Sequence, residues 1–271
     1  MTPGAIVARP MARSLLLELD NITIYRGDRV ALDRLALSVR EGEHIAILGP
    51  NGCGKSTLIK AMARELYPYR GNGPFVFRVM GRDVWDVSDL RAMVGIVTAD
   101  LIAMCTRALP AREVILSGFF SSIGVWAHHT VTPEMEQRTD EVMDLLEVQH
   151  LGDRLLDELS SGEARRVVIG RALVHRPRAL LLDEPTNSLD MRSTHELREI
   201  GRKIAQSGTT IILVTHHLPD IIPEIDRVVV LQNGTIRADG PKTEMLTQQT
   251  LSTLFGIQLD VIVRDGYYQV V

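Results

Sequence analysis

The stretch Gly49-Pro-Asn-Gly-Cys-Gly-Lys55-Ser-Thr57 constrains this chain more than any other. It follows the short apolar run His44-Ile-Ala-Ile-Leu48, which reads as a buried strand, and precedes Leu58 to Ala63, which reads as a helix. A glycine-rich turn in that position leaves the first N–H groups of the helix without partners, and they converge into an anion trap. The spacing G-x-x-x-x-G-K-[ST] is met by Gly49, Gly54, Lys55 and Ser56, with Pro50, Asn51, Gly52, Cys53 and Thr57 completing the loop. Glycines let the backbone close around α- and β-phosphates where a side chain would block the approach. In this reading Lys55 reaches the β- and γ-phosphates and the Ser56 hydroxyl holds Mg²⁺. The stretch is a nucleotide-phosphate site.

What surrounds that site is bounded by length and charge. With 271 residues, one α/β domain carrying an inserted lobe fits as well as two domains. A net charge of −4 argues against a broad electrostatic footprint, so no nucleic-acid partner is expected. Cys53 and Cys105 suggest neither a disulfide framework nor a zinc cluster, which favours a reducing, cytoplasmic compartment. No apolar run approaches the ~18–20 residues that cross a bilayer, so the chain is expected to be soluble and to meet a membrane only through a partner. Met1 to Arg13 has no sustained apolar core of the signal-peptide kind and reads as a flexible lead.

Taken in order, Ser14 to Tyr25 alternates Leu15, Leu17 and Leu19 with Glu18 and Asp20, a half-buried strand. Val30 to Arg40 reads as a second strand, Gly71 to Arg82 as short strand material, and Val94 to Thr98 as another buried strand. From about residue 101 to 158 the pattern turns helical, with predicted helices over Ala111–Phe120 and Pro133–Val148. A helix follows from Ser160 to His175, stopped by Pro177. Ala179-Leu-Leu-Leu-Asp183 is a wholly apolar central strand, Met191 to Gln206 a helix, and Thr209–Thr215 and Asp226–Gln232 further strands. The alternation predicts an α/β fold with a mostly parallel sheet covered on both faces. Thr243 to Phe255 reads as a closing helix and Gln258 to Val271 as a terminal hairpin around Asp265-Gly266.

The central strand ends in two carboxylates, Asp183 and Glu184. If strand geometry persists through the pair, they point to opposite sides. Asp183 would then hold Mg²⁺ through its water shell, and Glu184 would polarise a water toward the γ-phosphate as general base. Leu159-Ser160-Ser161-Gly162-Glu163 opens the next helix, and two readings stand side by side there. Ser160 followed by Glu163 is a capping box that needs no ligand, while a helix N-terminus with Ser and Gly exposed is also an anion site.

The order of these motifs resembles the ATP-binding cassette ATPases. The phosphate loop is followed by Leu159-Ser-Ser-Gly-Glu163, Leu181-Leu-Asp-Glu-Pro-Thr186, Ser188-Leu-Asp190 and Val214-Thr-His216, and the likeness spans about Leu15 to Gly240. The resemblance implies a P-loop NTPase core with an N-terminal antiparallel β subdomain and an inserted helical subdomain. It divides the chain into a cassette at 14–240 and a C-terminal extension at 241–271. It also implies a head-to-tail dimer, with a homodimer as the simplest form, in which ATP on one subunit is closed over by Ser160, Ser161, Gly162 and Glu163 of the other. Asp190 links the two sites, His216 contacts the γ-phosphate and orients the attacking water, and Tyr25 stacks on adenine. The implied activity is MgATP hydrolysis that energises a separate-chain integral membrane permease, with the cassette peripheral at the cytoplasmic face. A soluble cassette with a regulatory or assembly role is the alternative.

Two positions depart from the family pattern. Ser161 and Glu163 stand where a glycine and a glutamine are usual, and Glu163 adds negative charge near the incoming phosphate unless capping turns it back. After Val94-Gly-Ile-Val-Thr98 the usual glutamine is replaced by Ala99, with Asp100 next as a substitute metal contact. The apolar cluster from Phe119 to Trp126 is expected chiefly as the lobe's own core, with a docking surface for a permease as the other reading.

Overall fold

The apolar runs of the sequence become strands buried on both faces. A computed structural model describes residues 14–270, so the lead at 1–13 and the last residue of the predicted hairpin, Val271, lie outside the described residues. The first elements are β1 (Leu15–Arg26), β2 (Arg29–Arg40), β3 (Ile45–Leu48), α1 (Lys55–Met62), β4 (Val76–Val79), α2 (Val87–Met93) and β5 (Val94–Val97). Helices α3 (Ala99–Cys105), α4 (Ala111–Leu116), α5 (Pro133–Leu145) and α6 (Ser161–Leu173) follow. The chain continues through β6 (Ala179–Asp183), α7 (Met191–Gln206), β7 (Thr210–Thr215), β8 (Arg227–Gln232) and β9 (Thr235–Pro241). It closes with α8 (Lys242–Met245), α9 (Gln248–Phe255), β10 (Val261–Arg264) and β11 (Tyr267–Val270).

A six-stranded sheet runs in the order β5-β6-β7-β3-β8-β9. Its first five strands are parallel and β9 adds an antiparallel edge. Successive strand side chains face opposite ways, so the sheet divides its residues between two cores. Ala46, Leu48, Leu180, Leu182, Ile211 and Leu213 enter one core with residues of α4, α5, α6, α7 and α9. Ile45, Ile47, Ala179, Leu181, Ile212 and Val214 enter the other, with α1 and the antiparallel sheet β2-β1-β4. The fold is therefore mixed α/β, with a mostly parallel sheet and a separate antiparallel one. Because β3, β6 and β7 are parallel neighbours, the residues that follow Leu48, Asp183 and Thr215 emerge at one edge.

Several elements differ from expectation. The alternation of β1 breaks at bulges, which bury Leu16 as well as Leu17. The predicted helix over Ala111–Phe120 is α-helical only to Leu116 and tightens to a 3-10 turn at Ser117–Phe120. There the Ser117 hydroxyl donates to the Val114 carbonyl, and a Cβ on Gly118 would lie 2.2 Å from the Arg171 carbonyl oxygen of α6. The predicted helix over Pro133–Val148 ends at Leu145, before Glu147 enters the left-handed region at φ 57°. The predicted closing helix splits into α8 and α9, because Thr247 caps a fresh start by accepting from the Thr250 N–H at 3.2 Å. In the aromatic cluster, Phe119 and Ile123 pack against the core, whereas Trp126 is 56% exposed.

Candidate functional site

The phosphate loop occupies the turn from β3 into α1, and close backbone approaches dictate its glycines. A Cβ on Gly49 would lie 2.2 Å from the Leu231 carbonyl oxygen of β8, and Gly54 sits at φ 113° with Ala31 oxygen 2.8 Å from any added Cβ. The loop is braced from outside by the β8–β9 turn, where the Gly234 N–H donates to the Cys53 carbonyl at 2.8 Å. Asn233 and Gly234 both take positive φ (50° and 75°), the hairpin geometry that Asn-Gly favours. Cys53 itself is buried, and burial pushes its thiol up.

Lys55 opens α1 and is 7% exposed, with its ammonium folded into the loop. It donates to the carbonyls of Gly49 at 2.7 Å and Pro50 at 3.2 Å, and lies 3.4 Å from Glu184 Oε1. Ser56 is exposed beside it and Thr57 is buried.

The two carboxylates after β6 do not continue as a strand. The strand ends at Asp183, and Glu184 turns into the left-handed region at φ 48° while its N–H donates to the Val214 carbonyl at 2.8 Å. Such a conformation is uncommon for a non-glycine residue. Asp183 and Glu184 consequently both line one cleft, with Asn51, Gly52, Gly54, Lys55, Ser56 and Thr57. That corrects the expectation that the pair would serve opposite sides. Burial first, and then the Glu184 charge, push the Asp183 carboxyl up to about 6 against the pull of Lys55. A desolvated carboxylate beside an exposed hydroxyl is a hard-oxygen donor set of the kind Mg²⁺ takes, so the residues present fit that ion.

His216 follows β7. Its Nδ1 lies 2.6 Å from Glu184 Oε2, close but not aligned as a hydrogen bond, and its backbone N–H donates to the same oxygen at 3.4 Å. The structure thus brings Lys55, Asp183, Glu184 and His216 together at neighbouring strand ends.

The remaining predicted residues stand elsewhere on the chain: Tyr25, Ser160, Ser161, Gly162, Glu163 and Asp190 do not line that cleft. Tyr25 is 40% exposed and meets Tyr69 edge-on at 5.2 Å. Ser160 caps α6 in a complete capping box, with its N–H donating to Glu163 Oε2 at 2.8 Å and its hydroxyl to the same oxygen at 2.7 Å. Burial raises the Glu163 carboxyl, but these bonds outweigh it and hold the group below its ordinary value. The Glu163 side chain is therefore turned back onto its own helix. Gly162 is pressed on α7, since a Cβ there would meet the Ser193 side chain at 2.6 Å. Ser193 in turn is held by Asp190, which caps α7 by accepting from its N–H at 2.9 Å and its hydroxyl at 2.7 Å. Ala99 lines the cleft as the first residue of α3, and Asp100 points its carboxylate to Lys60 at 3.6 Å.

Sequence reasoning missed three parts of the site. Arg165 of α6 donates to the backbone carbonyls of Glu184 at 3.4 Å, Pro185 at 2.5 Å and Asn187 at 3.1 Å, framing the turn that carries the Glu184 carboxylate. Asp220, 3% exposed, accepts from the Thr186 hydroxyl, from Thr215 Oγ1 at 3.4 Å and from Arg198 at 2.8 Å, tying the turn after β6 to the segment after β7. Asn233 and Gly234 brace the phosphate loop, and their Asn-Gly pair was a readable hairpin signal.

Comparison with known proteins fits this geometry. A family model described as ABC transporter matches residues 32–187. The hemin import ATP-binding protein HmuV of Aliivibrio fischeri is 32% identical over 250 residues, covering 90% of this chain and 91% of that protein. The ADP conformation of MJ1267, an ATP-binding cassette of an ABC transporter, superposes with a TM-score of 0.76 at 25% identity, covering 89% of this chain and 97% of that one. The dimeric structure of MJ0796, a bacterial ABC transporter cassette, superposes at 0.67 with 26% identity, covering 83% and 98%.

Proposed function

This chain belongs to the ATP-binding cassette family, and on that premise we propose that it hydrolyses MgATP within a head-to-tail pair of cassettes beneath a separate importer permease. It is an ATPase that energises a transporter. No helix among the described residues is long and apolar enough to cross a membrane, so attachment at the cytoplasmic face falls to a partner. The hemin-import relative supports uptake of a cargo of that chelate class. The observation that carries the catalytic reading is the convergence of Lys55, Asp183 and Glu184 on one glycine-lined cleft, with His216 set against Glu184.

In this reading the N–H groups of the loop donate to the phosphates, and Lys55 exchanges the Gly49 and Pro50 carbonyls for β- and γ-phosphate oxygens. Ser56 and Asp183 would hold Mg²⁺, which when bound neutralises phosphate charge. Glu184 accepts the proton of the attacking water, and His216, placed beside it, orients that water and the γ-phosphate. Ser160, Ser161 and the Gly162 N–H of a second copy close the site, with Glu163 occupied in capping rather than facing the phosphate. Tyr25 packs on the adenine, and Asp190 sets the start of α7 where the two copies meet. Residues 14–240 form the cassette, with 101–158 as its helical subdomain and 241–271 as an extension.

The test is Glu184→Gln, which keeps the shape of the site while removing its base. Light scattering should find an ATP-dependent dimer whose turnover is about 10²–10⁴-fold down. A variant that stays monomeric in saturating ATP overturns the paired mechanism.

A further inference from the structure

The segment that ends β7 carries a second histidine, His217, which the hydrolytic reading does not use. Glu184, His216 and His217 each offer a ligand atom, and these atoms lie within 4.8 Å of one another. His216 Nδ1 is buried and lacks an aligned hydrogen bond, although Glu184 Oε2 is 2.6 Å away. A buried ring nitrogen facing a carboxylate in this way is an unsatisfied polar group, and such groups call for a partner. His217 is exposed, and its ring centroid lies 3.8 Å from that of His216 at a tilt of 40°. Solvent therefore reaches the cluster from the His217 side. Glu184 has its other oxygen, Oε1, turned to Lys55 at 3.4 Å, while Oε2 carries only the long 3.4 Å bond from the His216 N–H and keeps a lone pair for a ligand.

We propose that Glu184, His216 and His217 form a site for a borderline-soft divalent cation such as Zn²⁺, and that its occupancy switches off ATP hydrolysis. Two imidazoles and one carboxylate make up a three-ligand zinc site with an open fourth position. Mg²⁺ prefers oxygen and near-octahedral geometry, so it does not compete for this donor set. Bonds of about 2.1 Å place tetrahedral ligands roughly 3.4 Å apart, a spacing reached by rotating the exposed His217 side chain. A cation held there takes the Glu184 carboxylate out of proton transfer and fixes the His216 ring. The inhibitory half of the proposal rests on the reading of Glu184 as general base, whereas the binding half rests on ligand placement alone.

The two halves are measured separately on the full chain. Co²⁺, titrated without nucleotide, should give the visible absorption of a four-coordinate site that Zn²⁺ displaces, and His217→Gln should abolish it. ATPase assays in excess Mg²⁺ should show inhibition by low-micromolar Zn²⁺ in the parent. His217→Gln and His217→Ala should keep parental turnover without zinc and need about tenfold more zinc, or above, for half-inhibition. A Co²⁺ spectrum that is absent, or unchanged by His217→Gln, overturns the site whatever the ATPase shows. A normal Co²⁺ titration with zinc-insensitive turnover overturns the switch. Loss of all turnover in the parent with an intact Co²⁺ site would instead count against the hydrolytic reading.

Discussion

Lys55 and Glu184, which follow different strands, face each other across 3.4 Å with side chains only 7% and 18% exposed. The lysine that would meet a polyphosphate thus neutralises the carboxylate that would activate water. Each compensates the other's charge, which offsets the desolvation that burial of both groups costs until nucleotide enters.

Removing that ammonium should weaken nucleotide binding itself. Lys55→Ala is expected to lose about 2–5 kcal/mol of ATP affinity, because it strips a nearly buried charge from the phosphates. Isothermal titration with ATP measures it, and unchanged affinity would show that Lys55 does not reach the phosphates.

Gly201 sits mid-way along α7, where an added Cβ meets only Ile222 Cδ1 at 3.8 Å. It also borders a small apolar cavity shared with Leu197, Ile200, Ile204 and Ile211. Gly201→Ala should stabilise the chain by about 1 kcal/mol through helix propensity and lower unfolded-chain entropy. The corresponding rise in Tm is about 2–4 °C, read by scanning calorimetry. A lower Tm would mean that α7 packs more tightly there than its contacts show.

Asp183, pushed up to about 6 from the ordinary 3.8, predicts an unusual pH dependence. A carboxyl whose folded value is raised binds its proton more tightly in the folded state, so its contribution to stability falls as pH rises between those two values. The penalty is full above about pH 6 and absent below the unfolded value. Without nucleotide or metal, Asp183→Asn should therefore melt higher than the parent at pH 7.5. The gap should close as pH falls through 6 toward 4. A gap independent of pH would place the effect in packing rather than ionisation.

Asp220 is the buried acceptor that joins Thr186, Thr215 and Arg198. Asp220→Ala strands the Arg198 guanidinium and the Thr186 hydroxyl, and should cost about 3–5 kcal/mol in urea unfolding. Asp220→Asn, which retains an acceptor, should recover part of that loss. A loss below about 1 kcal/mol in the alanine variant would mean that water replaces the carboxylate.

How much of this was legible depended on the range of the interaction. The phosphate loop was readable because its glycine spacing is local, and the apolar strand ending at Asp183 because burial on both faces leaves an unbroken hydrophobic run. Helix α2 was missed: its seven residues bury only Leu90, too little for a periodic signal. The direction of Glu184 was also hidden, since its left-handed turn is imposed by pairing with Val214, thirty residues away in sequence. Arg165 and Asp220 look like ordinary charged residues in the sequence, and acquire roles only when the folded chain brings distant carbonyls and hydroxyls to them. The capping of Ser160 by Glu163 was a local pattern with two readings, and the structure shows the capping side of it.

The three bonds from Arg165 join the helix that begins at Ser160 to the peptide groups around Glu184. In the proposed two-fold arrangement, that helix tip would meet the neighbour's triphosphate while its second turn holds the turn after β6 of its own copy. Engagement on one side would thereby be mechanically legible on the other. A tethered pair of this sort would fire as a unit, with idle ATP consumption suppressed until both chambers are filled.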